Sequence, residues 1–439
     1  MAPSGVPPHE EAEEPTNRAA LSKDEEAESA PDGYNDLDEV LGPPPDQNPE
    51  ERPYFHRESL EERRSQRALS KEQYQSDLPG KGKSKHLLTQ LYTISYLIFF
   101  AIFGTLARLG TQWITNYPNA PVIISELWAN VGGCVVMGFL QQDRAIFEPR
   151  RGRQLLDALR DPEKLSAGEG KHPLPQKEDL KRKKTLPLYI GLSVGFCGSF
   201  TSFSSFIRDA FLALSNDLSG KNVGHLSRNA GWSVCAVLAV LIIEVGLSLA
   251  ALSFGAHIAI ATTPLLARLP KIHSHRFLDP LAVFLGFGCW LGAIFLAIWP
   301  PHNNWRGEVV FALVFAPLGC LLRFYLSLKL NSKIAQFPVG TFTANVFGTI
   351  ILGMCYDLQH AGAGIAGNAG CQVLQGMQDG FCGCLTTVST WVAELKSLRR
   401  RHAYFYGFTS VVVSFCCLVI IIGSLHWTVG LKAPVCKIA

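Results

Sequence analysis

The sequence predicts an all-α membrane protein with nine transmembrane helices. They form two inverted four-helix repeats joined by a linker helix, an antiparallel pseudo-dimer with broken third helices. Three observations carry this prediction: nine apolar segments, a set of motifs that occurs twice at constant offset, and basic residues gathered in alternate loops.

A hydrocarbon core needs about 20 mostly apolar residues per helix. Segments of that kind run over 89–113, 122–142, 186–214, 229–254, 278–299, 308–330, 338–358, 371–397 and 402–427. GTLAR at Gly104–Arg108 returns as GCLLR at Gly319–Arg323, and Asn130, Gly133 and Gly138 return as Asn345, Gly348 and Gly353, all at an offset of 215. FCGSFTSFSSF from Phe196 returns as FCGCLTTVSTW from Phe381 at an offset of 185, the difference being a longer loop in the first copy. One offset held across two helices, with a third paired motif, marks an internal duplication.

Basic residues mark cytoplasmic loops. Arg63, Arg64, Lys81, Lys83 and Lys85 precede the first span, and loop 143–185 ends in Lys181, Arg182, Lys183 and Lys184. Arg268, Lys271 and Arg276 lie in loop 255–277, and Lys396, Arg399, Arg400 and Arg401 end the eighth span. ITNYPNAP after span one and QHAGAGIAGNAG after span seven carry no base; Lys221, Arg228 and Arg306 are the dissent. The N-terminus is therefore expected inside and the C-terminus outside. Span five, as one extra crossing, inverts the second copy and puts Arg108 near the outer surface and Arg323 near the inner one. Inverted repeats place a functional site near the bilayer midplane, on the pseudo-two-fold axis.

The expected organisation is a disordered acidic cytoplasmic tail over 1–86, a first repeat over 87–256, and a linker with span five over 257–305. A second repeat follows over 306–430 and an extracytoplasmic tail over 431–439. The first segment is rich in Glu, Asp, Pro and Ser and buries too little apolar surface to offset the entropy of ordering. Its opening MAPSGVPPHEEAEEP has neither the basic nor the apolar region of a secretory signal. The cysteines lie almost all in apolar stretches, and their spacing suits neither a disulfide framework nor a zinc site, so they read as small apolar packers. No phosphate loop, metal-ligand cluster, nucleophile–base constellation or nucleic-acid footprint occurs, so neither an enzyme nor a nucleic-acid binder is expected.

Asn130 and Asn345 lie about eight residues into their spans. A carboxamide in hydrocarbon is costly unless its polar atoms are used. Two uses stay open, a helix–helix hydrogen bond or donation to an anion in a polar cavity. In each third span Gly and hydroxyl residues weaken the helix at mid-membrane depth, where irregular backbone survives only inside protein or along a cavity. Breaks are expected near Gly198–Thr201 and Gly383–Thr386. Carbonyls aimed from two breaks at one point would suit a cation. The hydroxyls of Thr201, Ser204, Thr386, Thr387 and Ser389 either donate to an anion or satisfy freed carbonyls. Phe203 and Phe206 lie three apart on one helix face; they pack the core or offer positive ring edges to an anion.

Arg108 and Arg323 sit near span ends, where they snorkel or cap another helix, a structural role. Asp209 and Glu394 occupy matched positions beside Arg208 and Lys396, which suggests ion pairs, with a pore-mouth role open. Glu244, unpaired in sequence within span four, carries a functional hypothesis by default. Ser410 and Ser414, one turn apart on span nine, could continue a polar track.

These residues resemble the fluoride exporter family, the Fluc/CrcB channels of bacteria and the FEX proteins of eukaryotes. The resemblance rests on G-x-x-x-R at Gly104–Arg108 and Gly319–Arg323, and on G-T-x-x-x-N-x-x-G-x-x-x-x-G, complete from Gly340 to Gly353. The first copy has Ser125-Glu126 in place of Gly-Thr. The box F-C-G-x-x-T-T-F-S-T-F is seen from Phe196 to Phe206, with Ser202 and Ser205 in place of Thr. The resemblance implies passive, selective fluoride export by a plasma-membrane monomer acting as a pseudo-dimer, with fluoride and the lipid bilayer its only expected partners. It implies Asn130 and Asn345 as pore donors, Phe203 and Phe206 as ring-edge contacts, and the backbone of Gly198, Thr201, Gly383 and Thr386 around a central structural sodium ion. The second box replaces both family phenylalanines with Val388 and Trp391, so one conducting and one vestigial pore are expected. The alternative is a proton-coupled antiporter using Glu244, Asp209 or Glu394.

Overall fold

The computed structural model describes residues 82–117, 120–143, 146–147, 183–218, 229–266, 275–300, 302, 305–361, 367–434 and 436. The expected tail up to residue 81 and most of the basic loop 143–185 lie outside the described residues. Every regular element among the described residues is helical. In order they are α1 (Gly82–Thr115), α2 (Leu127–Gln142), α3 (Pro187–Ile190), a π-helix (Gly191–Cys197), α4 (Gly198–Phe200) and α5 (Phe203–Ser215). There follow α6 (Ala230–Leu266), α7 (His275–Ile298), a second π-helix (Arg306–Val310), α8 (Phe311–Leu330) and α9 (Val339–His360). The chain continues through α10 (Gly367–Gly376), a third π-helix (Met377–Cys382), α11 (Gly383–Leu385), α12 (Ser389–Ser397) and α13 (Arg400–Thr428).

Seven helical stretches are long and apolar enough to cross a membrane: Leu87–Thr115, Pro187–Ser215, Ala230–Leu266, Leu278–Ile298, Phe311–Lys333, Val339–His360 and Arg400–Thr428. The expected second and eighth spans fall short. α2 has 16 residues, about 24 Å at 1.5 Å per residue, and the eighth is cut between Leu385 and Ser389. Two boundaries differ from expectation. α1 begins at Gly82, inside the stretch assigned to the tail, and α6 runs to Leu266 through the first half of the expected loop 255–277. The helix runs on through Gly255, which lies against the Val135 carbonyl of α2, and through the apolar AHIAIATTPLL.

The broken helix Pro187–Ser215 is mostly buried, whereas α6, α7 and α13 expose large apolar side chains such as Ile242, Phe284 and Ile420. Without water to drive it, such a surface is stable only against lipid. α1 packs along the first π-helix and α8 along the third, and α1 and α8 also cross each other. α2 pairs with α6, and α9 with α13. The segments after the breaks bridge the halves: α5 packs on α6 and also reaches α9 and α13, while α12 packs on α13 and also reaches α2 and α6. Buried Lys183 donates to the carbonyls of Leu140 and Asp143 and so caps the C-terminal end of α2.

One cysteine pair departs from expectation. Cys371 at α10 and Cys436 in the C-terminal tail form a disulfide. Cys371 opens the expected eighth span and Cys436 lies beyond the ninth, and the tail is further pinned by the Lys432 N–H on the His360 carbonyl at 3.0 Å.

Candidate functional site

Helical backbone stops twice, at matched places. Thr201 and Ser202 are extended (φ −102°, ψ 145° and φ −136°, ψ 115°), and so is Thr386 (φ −93°, ψ 155°). A π-helix precedes each break, from Gly191 in one case and Met377 in the other. Its wider turn leaves one residue extra per bulge and is common at functional positions.

Each break is held open by an asparagine. Asn130 Oδ1 accepts from the Ser202 N–H at 2.9 Å, and Asn345 Oδ1 accepts from the Thr387 N–H at 2.9 Å. In an uninterrupted helix those two N–H groups would bond the carbonyls of Gly198 and Gly383. The asparagines therefore take away the regular donor of each glycine carbonyl. Their own amides differ: Asn345 Nδ2 donates to the Thr387 carbonyl at 3.2 Å, and Asn130 Nδ2 donates to Glu244 Oε2 at 3.1 Å. Both asparagines are fully buried.

The breaks are stitched to each other by hydroxyls. Thr201 Oγ1 accepts from the backbone N–H groups of Val388 (3.2 Å) and Ser389 (3.1 Å), at the start of α12. Thr386 Oγ1 accepts from the Ser204 N–H at 3.1 Å, at the start of α5. Thr201 Oγ1 and Thr387 Oγ1 lie 3.2 Å apart, and Ser204 Oγ and Thr386 Oγ1 lie 3.0 Å apart. Ser389 Oγ donates to the Cys197 carbonyl at 3.1 Å. Two helix N-termini thus converge on one buried hydroxyl cluster. Their partial positive charge favours an anion, and their first N–H groups are taken by the threonine hydroxyls. Close approach is needed here: a Cβ on Gly133 would overlap the Thr201 methyl, and one on Gly348 the Thr386 methyl.

Beside the cluster, Phe203 meets Phe206 edge-on with centroids 5.6 Å apart, and meets Trp391 at 5.2 Å. All three are buried, and the Trp391 indole Nε1 has no hydrogen-bond partner among the described residues. Ser410 and Ser414 fall on the buried stripe of α13 with Tyr406 and Leu418. Ser410 Oγ donates back to the Tyr406 carbonyl at 2.7 Å, whereas Ser414 Oγ finds no partner among the described residues.

The arginines do not snorkel; both are buried and cross between the halves. Arg323 donates to the Val194 carbonyl and the Cys384 carbonyl, each at 2.8 Å, and its guanidinium fills the space that a Cβ on Gly198 would take. Arg108 donates to the Asp379 carbonyl, and its guanidinium lies likewise against Gly383. A bulkier residue at either glycine would displace a buried cation.

The acidic pair is used differently in the two halves, Asp209 on a helix end and Glu394 on hydroxyls. Asp209 does meet Arg208, at 3.2 Å, but its Oδ2 also accepts from the Ser125 N–H (2.9 Å) and the Glu126 N–H (3.3 Å) at the start of α2. In the second half the matching N–H groups of Gly340 and Thr341 go to Asn331 Oδ1, at 2.7 and 3.1 Å. Glu394 stands behind them, accepting from the hydroxyls of Thr341 and Tyr406 at 2.6 Å each, while Lys396 turns to Ser253. Asn331 and Tyr406 were not singled out by sequence reasoning. No local signal marked Asn331, which lies nine residues ahead of Gly340. Glu126, which replaces the Thr of the second copy, is fully buried and accepts from Gln112 Nε2 at 2.5 Å, 3.9 Å from the Arg108 guanidinium.

A sequence model of the CrcB-like protein family, Camphor Resistance (CrcB), matches residues 95–256 and 310–424. The chain is 48% identical over 445 residues to fluoride export protein 1 of Neurospora crassa, spanning 92% of this chain and 84% of that one. It is 34% identical over 353 residues to fluoride export protein 1 of Candida albicans, with 78% and 83% covered. The fluoride-specific ion channel FluC of Pseudomonas aeruginosa matches at 36% over 130 residues, which is 98% of that protein and 29% of this chain. No solved structure matches. A multi-pass, all-helical membrane architecture, two third-helix breaks capped by matched asparagines and these extended matches lead to one assignment: the chain belongs to the CrcB-like protein family.

Proposed function

We propose that this protein exports fluoride from the cell as a selective, passive anion channel, built from two inverted copies of one four-helix unit. The observation that carries the reading is the meeting of two helix N-termini, α5 and α12, on a buried hydroxyl cluster capped by Asn130 and Asn345. Fluoride is strongly hydrated, so a route must replace its water by fixed donors. The hydroxyls of Thr201, Ser204, Thr386, Thr387 and Ser389, the amide of Asn345 and the hydroxyl of Ser410 would supply such donors by turning from the oxygens they now meet. The ring edges of Phe203 and Phe206 and the hydroxyl of Ser414, unpartnered among the described residues, add to them. The unused indole N–H of Trp391 adds one that a phenylalanine would lack.

The names of the relatives, fluoride export protein and fluoride-specific ion channel, support the cargo. The two matched segments of the family model and the near-complete match of a 130-residue stretch to one bacterial chain support the duplication. The crossed contacts of α5 and α12 support a pseudo-dimer within one chain. Export needs only the membrane potential, about 2.3 kcal/mol per charge per 100 mV, and the plasma membrane is the site this direction requires.

The carbonyls of Gly198, Thr201, Gly383 and Thr386 fit a sodium ion: they are hard oxygen donors at two adjoining breaks, and the glycine pair has lost its regular N–H donors to the asparagines. A bound sodium would fix the break geometry and add positive charge near the anion route.

Against proton-coupled exchange, Asp209 is committed to the N–H groups at the start of α2, and Glu394 to the hydroxyls of Thr341 and Tyr406. Fluoride flux measured with and without an imposed proton gradient tests this. Flux that follows voltage alone supports the channel, and flux that requires the gradient contradicts it.

A further inference from the structure

Arg323 and Arg108 reach matched carbonyls, those of Val194 and Asp379, which the offset of 185 superposes. Ahead of Val194 stand Ile190 and Ser193; at the same two places ahead of Asp379 stand Gln375 and Gln378. These carboxamides form a ladder that the first half lacks. Gln375 Nε2 donates to Asp379 Oδ2 at 2.6 Å, and Gln378 Nε2 donates to Gln359 Oε1, on α9, at 2.8 Å. Gln359 Nε2 donates in turn to Gln375 Oε1 at 3.2 Å and to the Cys371 carbonyl at 3.3 Å. It also lies 3.7 and 3.8 Å from the two sulfurs of the Cys371–Cys436 disulfide. Gln359, Gln378 and both cysteines are buried. The tail beyond α13 is therefore joined, through one covalent bond, to a polar track that leads by way of Asp379 to Arg108 and Gly383 at the second break.

We propose that Gln359 is a positioning residue for transport: it couples the disulfide-pinned tail to the second broken helix, which the closed disulfide holds in its conducting arrangement. The ladder joins α9, α10 and the third π-helix in a buried place, where no solvent replaces a lost partner. Each carboxamide that pairs at both ends fixes the orientation of the next, so the network holds or shifts as a unit. Opening the S–S bond takes two electrons and two protons and leaves two thiols. The tail then keeps the Lys432 N–H on the His360 carbonyl, a single hydrogen bond, and α10 loses its covalent anchor. The Asp379 carbonyl that receives Arg108 shifts with the third π-helix, and the guanidinium against Gly383 shifts with it. This inference rests on the channel reading above.

The test is fluoride efflux from liposomes holding the full-length protein, reconstituted either with the disulfide closed or after reduction by a trialkylphosphine. The phosphine supplies the electrons, water supplies the protons, and the phosphine leaves as its oxide. Maleimide labelling of denatured protein counts the opened pairs. Reduction is expected to lower wild-type flux at least fivefold, and re-oxidation to restore it. Cys371→Ser/Cys436→Ser should conduct at the reduced level and ignore the phosphine. Gln359→Met should conduct at that level with its disulfide closed, and reduction should lower it no further. Reduced wild type carries the comparison if the double serine variant does not elute as monodisperse protein, and Gln378→Met, which removes the next rung, does so for Gln359→Met. Wild type that conducts fully with the pair open would overturn the coupling and leave the channel reading standing. So would a Gln359→Met protein that still loses fivefold on reduction. A loss that re-oxidation does not restore would assign the disulfide to folding alone and overturn the inference too. A silent wild type with the disulfide closed would overturn the channel reading and this inference with it.

Discussion

Asn345 grips the peptide of Thr387 at both ends, its Oδ1 accepting from the N–H at 2.9 Å and its Nδ2 donating to the carbonyl at 3.2 Å. That grip replaces a turn of helix at the second break and leaves both partners satisfied in a fully buried place. Loss of the side chain strands a buried N–H and C=O together. Asn345→Leu is expected to destabilise the protein by about 2–4 kcal/mol, two unsatisfied groups at ~1–2 each. Thermal unfolding in detergent checks the loss of stability, and fluoride flux should vanish with it.

Arg323 ties α8 to the first broken helix through the Val194 carbonyl and to its own half through the Cys384 carbonyl. Arg323→Lys keeps the charge but cannot reach two carbonyls with a planar fork. It should lower stability nearly as much as Arg323→Met, by roughly 2–4 kcal/mol for a buried charged hydrogen-bond network. A lysine variant as stable as wild type would show that charge alone matters there.

Gly198 and Gly383 each receive a guanidinium from the opposite half. Gly198→Ala and Gly383→Ala should each cost about 1–3 kcal/mol from overpacking, although alanine is the better helix former. Gly246 in α6 has nothing within 4 Å of its would-be Cβ. Gly246→Ala is therefore the control, expected to be neutral or to stabilise by up to ~1 kcal/mol. Unfolding midpoints of the three variants decide the matter.

The disulfide between Cys371 and Cys436 fits an oxidising outer compartment. Of 12 cysteines, 10 should react with a polymer-coupled maleimide in denatured, unreduced protein and 12 after reduction. In sealed, right-side-out vesicles a membrane-impermeant phosphine should expose the extra pair. Reduction that requires permeabilised vesicles would place the C-terminus inside and reverse the orientation inferred from the basic loops.

The parts of this fold legible in the sequence were those written in local chemistry. Gly198–Thr201 and Gly383–Thr386 pack helix-weakening residues into apolar runs, and the breaks fall at Thr201–Ser202 and from Thr386. Asn130 and Asn345 stood out as costly groups in hydrocarbon, and both proved to be break caps. What stayed hidden depends on long-range contact. The pairing of Asn130 with Glu244 joins residues 114 apart, and Arg108 and Arg323 meet carbonyls 271 and 129 residues away. The π-helices left no trace in composition, since a wider turn uses the same residues as a regular one. Cys371 and Cys436 looked like packers because 65 residues separate them. α6 overran its expected end because Gly255, directly after it, packs within the helix against the Val135 carbonyl of α2 and does not close it.

The central claim is that the second-half asparagine serves a passive fluoride route, and reconstituted flux tests it most directly. Liposomes loaded with potassium fluoride, with valinomycin setting the voltage and no proton gradient, should release fluoride rapidly through wild-type protein and fail to release chloride. Asn345→Asp and Phe203→Ile should each abolish that release while Arg306→Gln, at an exposed loop-side contact to Ile298, leaves it unchanged. Fluoride release that persists in Asn345→Asp, or that needs a proton gradient in wild type, would contradict the account.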